Sequence, residues 1–382
     1  MRRPLACLAW SIVVCGAVCG AACGGEPAAP PAPIRFLHTF GAEETELFNA
    51  TMIERGIAVE GSLVPFARGQ QVIREILRAG TSCPDLIRID ATWLPGFVGL
   101  LEPVPADLGT ADWLPEAEAL VSTATTASWA ALPQTVDGLL VVRDEAAPAP
   151  RSPAIVDLIA AARAAKHPGR PHPLGLRVDA YWLVPWLRAD GADLGRIEEA
   201  SAAQALQAFA ALFGDLAPPP PPAGGEAPDE IRRWTSHEIA YWVTGPWQVG
   251  ALRERDRLAV SALAHAPRGG QLLVVPSCAK RPAEGWRLAR ELTSVEVGSA
   301  FADAFATVPS RKAALDASPK LVHAIYGALK EGEMLPRSPL TPLLFDDLNP
   351  ALAAVVSGDA TAEEAIEGVR RGWRRFEEQQ RR

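Results

Sequence analysis

From Ile34 onward the apolar positions switch between two periods. Ile34-Arg35-Phe36-Leu37 reads as a short strand, and Glu44–Arg55 carries Leu47, Phe48, Thr51 and Met52 at helical spacing before stopping at Gly56. Ile57–Val64 follows as a second strand, weakened by Gly61, and Gln70–Ala79 as a helix with Val72, Ile76 and Leu77 on one face, ended by Gly80. Pro84 then leads into a third strand, Asp85–Asp90. Strand, helix, strand, helix, strand is the pattern of a parallel sheet covered by helices, an α/β fold.

Further on, the pattern predicts a strand around Gly138–Val142, helices over Ile155–Ala165 and Ala202–Phe213, and a buried strand at Ile239–Val243. It continues with a strand at Gly270–Pro276 and helices over Ala283–Leu292, Ser294–Phe305 and Ala362–Phe376. Leu176–Leu194 is densely apolar; if it is extended, Tyr181 and Trp182 point to opposite faces. Pro218–Pro222 with Ala223-Gly224-Gly225 reads as a stiff surface insertion with a flexible end. No internal repeat interrupts this order.

Length changes the picture first: 382 residues, 48% of them hydrophobic, predict two domains and exclude global disorder. A net charge of −8 argues against nucleic-acid binding, which needs clustered Lys and Arg. Four of the six cysteines, Cys7, Cys15, Cys19 and Cys23, fall in the first 23 residues. There Met1-Arg2-Arg3 precedes an apolar run from Leu5 to Val18 and a small-residue exit, Gly20-Ala21-Ala22-Cys23, the form of a secretory signal. The exit resembles a bacterial lipobox, with residues 1–22 removed and Cys23 acylated; simple cleavage leaving a free Cys23 thiol is the alternative. Residues 23–33 then form a lipidated tether, flexible because Gly24–Pro33 is rich in Pro, Ala and Gly. Losing residues 1–22, with Arg2 and Arg3, shortens 382 to 360 and takes −8 to −10. The protein is therefore expected outside the cytoplasm, periplasmic or on the cell surface, where Cys83 and Cys278 become a candidate disulfide.

Catalytic signatures are missing. There is no G-x-S-x-G, H-E-x-x-H, Walker A or dinucleotide fingerprint, so no enzyme activity and no cofactor is predicted. Asp90 and Asp137 would have to pair for glycosidase chemistry. The six histidines are scattered, and no metal site is expected.

The order of landmarks resembles an extracellular solute-binding protein of an ABC importer, of the maltose/trehalose-binding class with the type II periplasmic-binding fold. The pieces that carry it are IRFLHTFGAEE (Ile34–Glu44), PDLIRIDATWLPGFVGLLEPV (Pro84–Val104), LPQTVDGLLVVRD (Leu132–Asp144) and DAYWLVPWLRADGADL (Asp179–Leu194). TGPWQVGAL (Thr244–Leu252), GGQLLVVPSCAKRPAEGWRLARELTS (Gly269–Ser294) and NPALAAVVSGDATAEEAI (Asn349–Ile366) complete it. The resemblance implies two α/β lobes joined by crossing strands, lobe one being 34–142 plus 269–315 and lobe two 143–268 plus 316–382. It implies a monomer that holds a sugar or oligosaccharide in the cleft and delivers it to a membrane permease. A ligand-sensing lipoprotein for a membrane receptor, or a binder of a non-sugar solute, fits the same motifs. In the family's sheet the return strand lies antiparallel to the third strand, so the resemblance also implies a Cys83–Cys278 bridge; two buried free thiols are the alternative.

A sugar site needs flat aromatic platforms and polar groups at their edges. Of eleven tryptophans, ten remain once Trp10 goes with the leader, against three tyrosines. By the resemblance, Trp247 in Gly-Pro-Trp is the stacking residue, Asp179 and Tyr181 contact ligand, and Asp137 is a cleft carboxylate. Arg337 and Phe345 come from a late wall, Phe345 standing where the maltose-binding branch has tryptophan. From position alone, Asp90 and Trp93 lie at the C-terminal end of the third strand, where open sheets place ligands, with His38, Thr39 and Glu43 at the same edge. Capping or turn hydrogen bonding is the alternative for these polar residues. Gly269 and Gly270 permit close ligand approach, as a turn would. Carboxylates outnumber cations here, which suits a neutral polyol better than an anion.

Overall fold

The computed structural model describes residues 32–109, 111–122, 129–197, 200–220, 229–252 and 255–380. The leader with its cysteines, the acylation candidate Cys23 and most of the proline-rich insertion lie outside the described residues.

β1 (Ile34–His38), β2 (Val59–Leu63), β3 (Leu86–Asp90) and β4 (Leu132–Pro133) are laid down first, separated by helices Ala42–Glu54 and Phe66–Ala79. Then come β5 (Thr135–Gly138), β6 (Leu140–Asp144), β7 (Leu174–Gly175), β8 (Tyr241–Thr244) and β9 (Leu258–Ser261). The chain returns through β10 (Pro267–Gly269) and β11 (Gln271–Val274), and adds β12 (Val308–Pro309) and β13 (Glu333–Met334). One sheet runs β2-β1-β3-β11-β4 and a second runs β7-β8-β6-β9; between them lies a short sheet, β12-β5-β10-β13.

In the first sheet β1 is parallel to β2 and β3, as helical crossovers require, and β11 runs back antiparallel to β3. Period-two alternation decides its two cores. Phe36 and Leu86 pack on one side with Phe40 and Phe48, while Leu37, Ile87 and Ile89 pack on the other with Ile73 and Leu77. Helix Phe66–Ala79 ends at Gly80, whose φ of +63° closes it in the left-handed conformation. The return strand brings Val274 opposite Ile87, and just beyond those ends Cys83 and Cys278 are bonded, with Cα atoms 5.8 Å apart.

Two expectations need correction. The strand expected over Gly138–Val142 is broken at Leu139 into β5 and β6, which belong to different sheets. Gly138 makes the break: its φ is +153°, and a Cβ there would lie 2.5 Å from the Pro267 carbonyl oxygen. Hence β6 sits wholly in the second sheet, sending Val141 into one core and Leu140 and Val142 into another. Leu176–Leu194, conditionally extended, instead contains helix Ala180–Ala189, because Asp179 caps it by accepting from the Tyr181 N–H at 2.8 Å. Helices Lys320–Leu329 and Thr341–Ser357 add to the expected elements, and the second carries Phe345 to the site.

Candidate functional site

The register of the strands assembles a polar cluster where the sheets meet. β3 and β11 pair Asp90 with Gln271, and β5 and β10 pair Asp137 with Gly269, two residues before Gln271. Two carboxylates far apart in sequence thus flank one amide. The Gln271 side chain donates to Asp90 Oδ2 at 3.3 Å and also to Asp137. Asp90 Oδ1 accepts from the Thr92 N–H at 2.8 Å and from its hydroxyl, so the turn bonding foreseen for Asp90 coexists with its place in the cluster. Burial pushes the Asp90 carboxyl up, against the pull of Thr92, Arg88 and Gln271. For Asp137, burial and then the Asp90 charge outweigh Arg88 and Gln271, and raise it from 3.8 to about 7.

Arg88 is the buried cation beneath this pair. Its Nε donates to Gln134 Oε1 at 2.7 Å, its Nη1 to Thr39 Oγ1 at 2.9 Å, and its guanidinium lies 4.6 Å from the centre of the Phe40 ring. Burial lowers its pKa, while the charges of Glu44, Asp137 and Asp90 raise it. Thr39 is thereby committed to Arg88. Glu43 is exposed; its neighbour Glu44 is the residue that acts on Arg88, while its Oε2 accepts from the Gly41 N–H at 2.7 Å.

His38 and Trp93 sit in the core. His38 is 1% exposed, its ring centroid 5.2 Å from Phe36, 5.0 Å from Phe40 and 5.9 Å from Phe48, and burial followed by the Arg88 charge lowers its pKa to about 4. Trp93 covers Gly69 so closely that a Cβ there would fall 2.6 Å from its ring, and Phe66 packs at 5.1 Å. Apolar packing claimed both rings, which their position at the sheet edge did not reveal.

The opposite wall is aromatic. Tyr181, in the first turn of the helix capped by Asp179, has its ring 6.4 Å from Trp247, 6.3 Å from Phe345 and 5.8 Å from Trp182. Trp182 is anchored by its Nε1 donating to the Val243 carbonyl at 2.7 Å, and Arg177 stacks on it at 4.8 Å. Trp247 is the open member, 41% exposed, and lies over Gly245, where a Cβ would meet its ring at 2.2 Å. The Tyr181 hydroxyl donates to the Pro267 carbonyl at 3.3 Å, and burial with the charges of Asp137 and Asp90 raises its pKa.

Aromatic wall and carboxylates converge over Gly269, where a methyl group would lie 3.3 Å from Asp137 Oδ1 and 4.0 Å from the Tyr181 hydroxyl oxygen. Gly270 has a different reason, since a Cβ there would strike the Thr135 carbonyl oxygen at 2.1 Å. Phe345 rides on helix Thr341–Ser357, which touches the 3-10 helix Ala91–Gly96 that follows Asp90; on the same helix Asp346 feels the charge of Arg74. Arg337 is exposed in the preceding loop, where partial burial lowers its pKa. Burial also raises the Asp179 carboxyl.

Arg88, Gln271, Trp182 and Gly245 were missed. Arg88 had a signal, a cation inside the apolar run Leu86–Ile89; the others depend on register and helix phase. Among the described residues no three His, Cys, Asp or Glu side chains converge as a metal site, and no helix is long and apolar enough to cross a membrane.

Residues 41–298 match the family model described as bacterial extracellular solute-binding protein. Among solved structures, the GacH receptor of Streptomyces glaucescens, studied unliganded and with acarbose, superposes with a TM-score of 0.77 at 21% identity over 90% of this chain and 97% of that one. Maltose-bound MalE3 of T. maritima gives 0.78 at 19% identity over 90% and 99%. A solute-binding protein of an ABC transporter from Thermotoga lettingae, bound with α-D-tagatose, gives 0.73 at 22% identity over 88% and 96%. No curated protein sequence matches the chain. With the family model matching more than half of the chain and the fold shared nearly end to end, this chain belongs to the bacterial extracellular solute-binding proteins and has their two-lobe, type II periplasmic-binding fold.

Proposed function

We propose that the protein is the substrate-binding component of an ABC importer, capturing a sugar or oligosaccharide between its lobes and delivering it to a membrane permease. The observation that carries this reading is the exposed Trp247 ring, grouped with Phe345 around Tyr181, whose hydroxyl meets the Asp137 carboxylate over Gly269. An apolar face for the C–H side of a sugar ring and acceptors for its hydroxyls are what a saccharide requires. The sugars named for the solved relatives support the same ligand class. Trp247, Tyr181, Phe345, Asp90, Asp137 and Gly269 form the proposed contact set, with Asp179 and Arg337 at its margin. His38, Thr39, Glu43, Trp93 and Gly270 are left to packing, capping and solvent.

The first lobe is built on the five-stranded sheet and the second on the sheet containing β6 and β8, with the short sheet between them as hinge. Contacts from both lobes to one ligand favour the closed form, since only differential contacts shift such an equilibrium. The protein works as an exported monomer, its leader (residues 1–22) removed, Cys23 acylated and residues 23–33 acting as tether. It binds without turning its ligand over. Thermal-shift and calorimetric screening against mono- and oligosaccharides is the test: stabilisation by a sugar, without release of reducing ends, is expected. Stabilisation only by a peptide, polyamine or inorganic anion overturns the ligand class.

A further inference from the structure

We propose that this cleft selects a saccharide carrying a protonated amine over the neutral sugar of the same size. The inference rests on the sugar-binding reading above and narrows it. Three carboxyl groups, Asp90, Asp137 and Asp179, lie in or beside the site, and the cations near them are committed elsewhere. Arg88 is bonded to Gln134 and Thr39 and stacked on Phe40; Arg177 is stacked on Trp182. Neither forms an ion pair with a site carboxylate among the described residues, and the Asp90–Asp137 pair is bridged only by the neutral Gln271 amide. Two buried carboxylates over one buried guanidinium leave a deficit of one positive charge, and burial keeps a proton on Asp137 up to about pH 7.

A hydroxyl cannot supply that charge, whereas an ammonium on the sugar can. It would displace the Asp137 proton to solvent and leave one cation between two carboxylates, so charge and protons balance. The charged groups acting on this cluster are Arg88 on β3, Glu44 on helix Ala42–Glu54, Asp179 and Arg188 at and in helix Ala180–Ala189, and Arg177 before it.

The test is calorimetry on the full exported protein with matched pairs: glucosamine and glucose, trehalosamine and trehalose, deacetylated chitotriose and cellotriose. The amine member of at least one pair should bind tenfold or more tightly at pH 7, releasing protons measurable in buffers of different ionisation enthalpy. That preference should shrink in Asp137→Asn and in Asp90→Asn, each checked by thermal melting, so that an unfolded variant is not read as a loss of selectivity. If the neutral member binds as tightly in every pair that binds at all, the amine inference falls while the sugar reading stands. Binding of no member overturns the amine inference, and the sugar reading falls with it when the wider saccharide screen also finds no ligand.

Discussion

Trp247 is a large aromatic left 41% exposed, so little apolar burial is lost by truncating it. Trp247→Ala should weaken sugar binding about tenfold or more while moving the melting temperature by only about 2 °C, as read by calorimetry and thermal melts. An equal loss of both would place the ring in the core. His38 and Asp137 make a second prediction, because their titrations oppose. The Asp137 carboxyl, raised from 3.8 to about 7, favours the folded state most below its unfolded value, and that contribution is lost as pH rises to about 7. The His38 imidazole, lowered from 6.5 to about 4, favours the folded state above 6.5, and that contribution is lost as pH falls to about 4. In the wild type the two slopes offset between about pH 4 and 6.5. Urea unfolding should show stability rising with pH across that window in Asp137→Asn and falling with pH in His38→Gln; unchanged slopes in both variants would contradict the assigned shifts. The sequence offered Asp137 through the resemblance, as a cleft carboxylate, and His38 through its position at a sheet edge. Three phenylalanine rings around one imidazole, at separations fixed by packing, are what set them apart.

At the scale of elements, the first sheet was legible because the short apolar runs of β1 and β3 stand between helices that end at Gly56 and Gly80, signals that act over a few residues. The crossing was not legible: Leu139, Leu140, Val141 and Val142 form one apolar run after Gly138, and only the opposing Pro267 carbonyl shows why Gly138 turns the chain there. Gly138→Ala should therefore destabilise the protein by at least about 2 kcal/mol, since its conformation and the 2.5 Å approach both exclude a side chain. Chemical denaturation measures this, and a neutral effect would mean the crossing tolerates a shift. The Cys83–Cys278 bond clamps the other end of β3 from Asp90 and spans 195 residues of sequence. Replacing both cysteines by serine should cost about 2–5 kcal/mol of stability yet change ligand affinity less than threefold, because the site lies at the opposite strand end.

Across the whole molecule, helix Thr341–Ser357 packs against Ala91–Gly96 and its Asp346 feels the charge of Arg74, contacts that join the two lobes as proposed above. Ligand should strengthen that closure, raising stability by about 2.7 kcal/mol when free sugar is a hundredfold above its dissociation constant. The melting temperature must then climb with ligand concentration, and solution scattering should show no expansion on binding. A ligand that raised stability while enlarging the radius of gyration would refute the closed-state account. What the residue pattern determined unaided was the α/β class and the order of landmarks, which follow from local periodicity and residue chemistry, while the resemblance those landmarks carry named Trp247, Tyr181, Asp179 and Asp137. Which candidates meet was decided by strand register and helix phase. Those bring Asp90, Asp137 and Gln271 to one point, set Tyr181 near it with Trp247 beside Tyr181, and draw His38 and Trp93 into the core, because burial of apolar area constrains the whole fold at once while periodicity reports only the nearest turn.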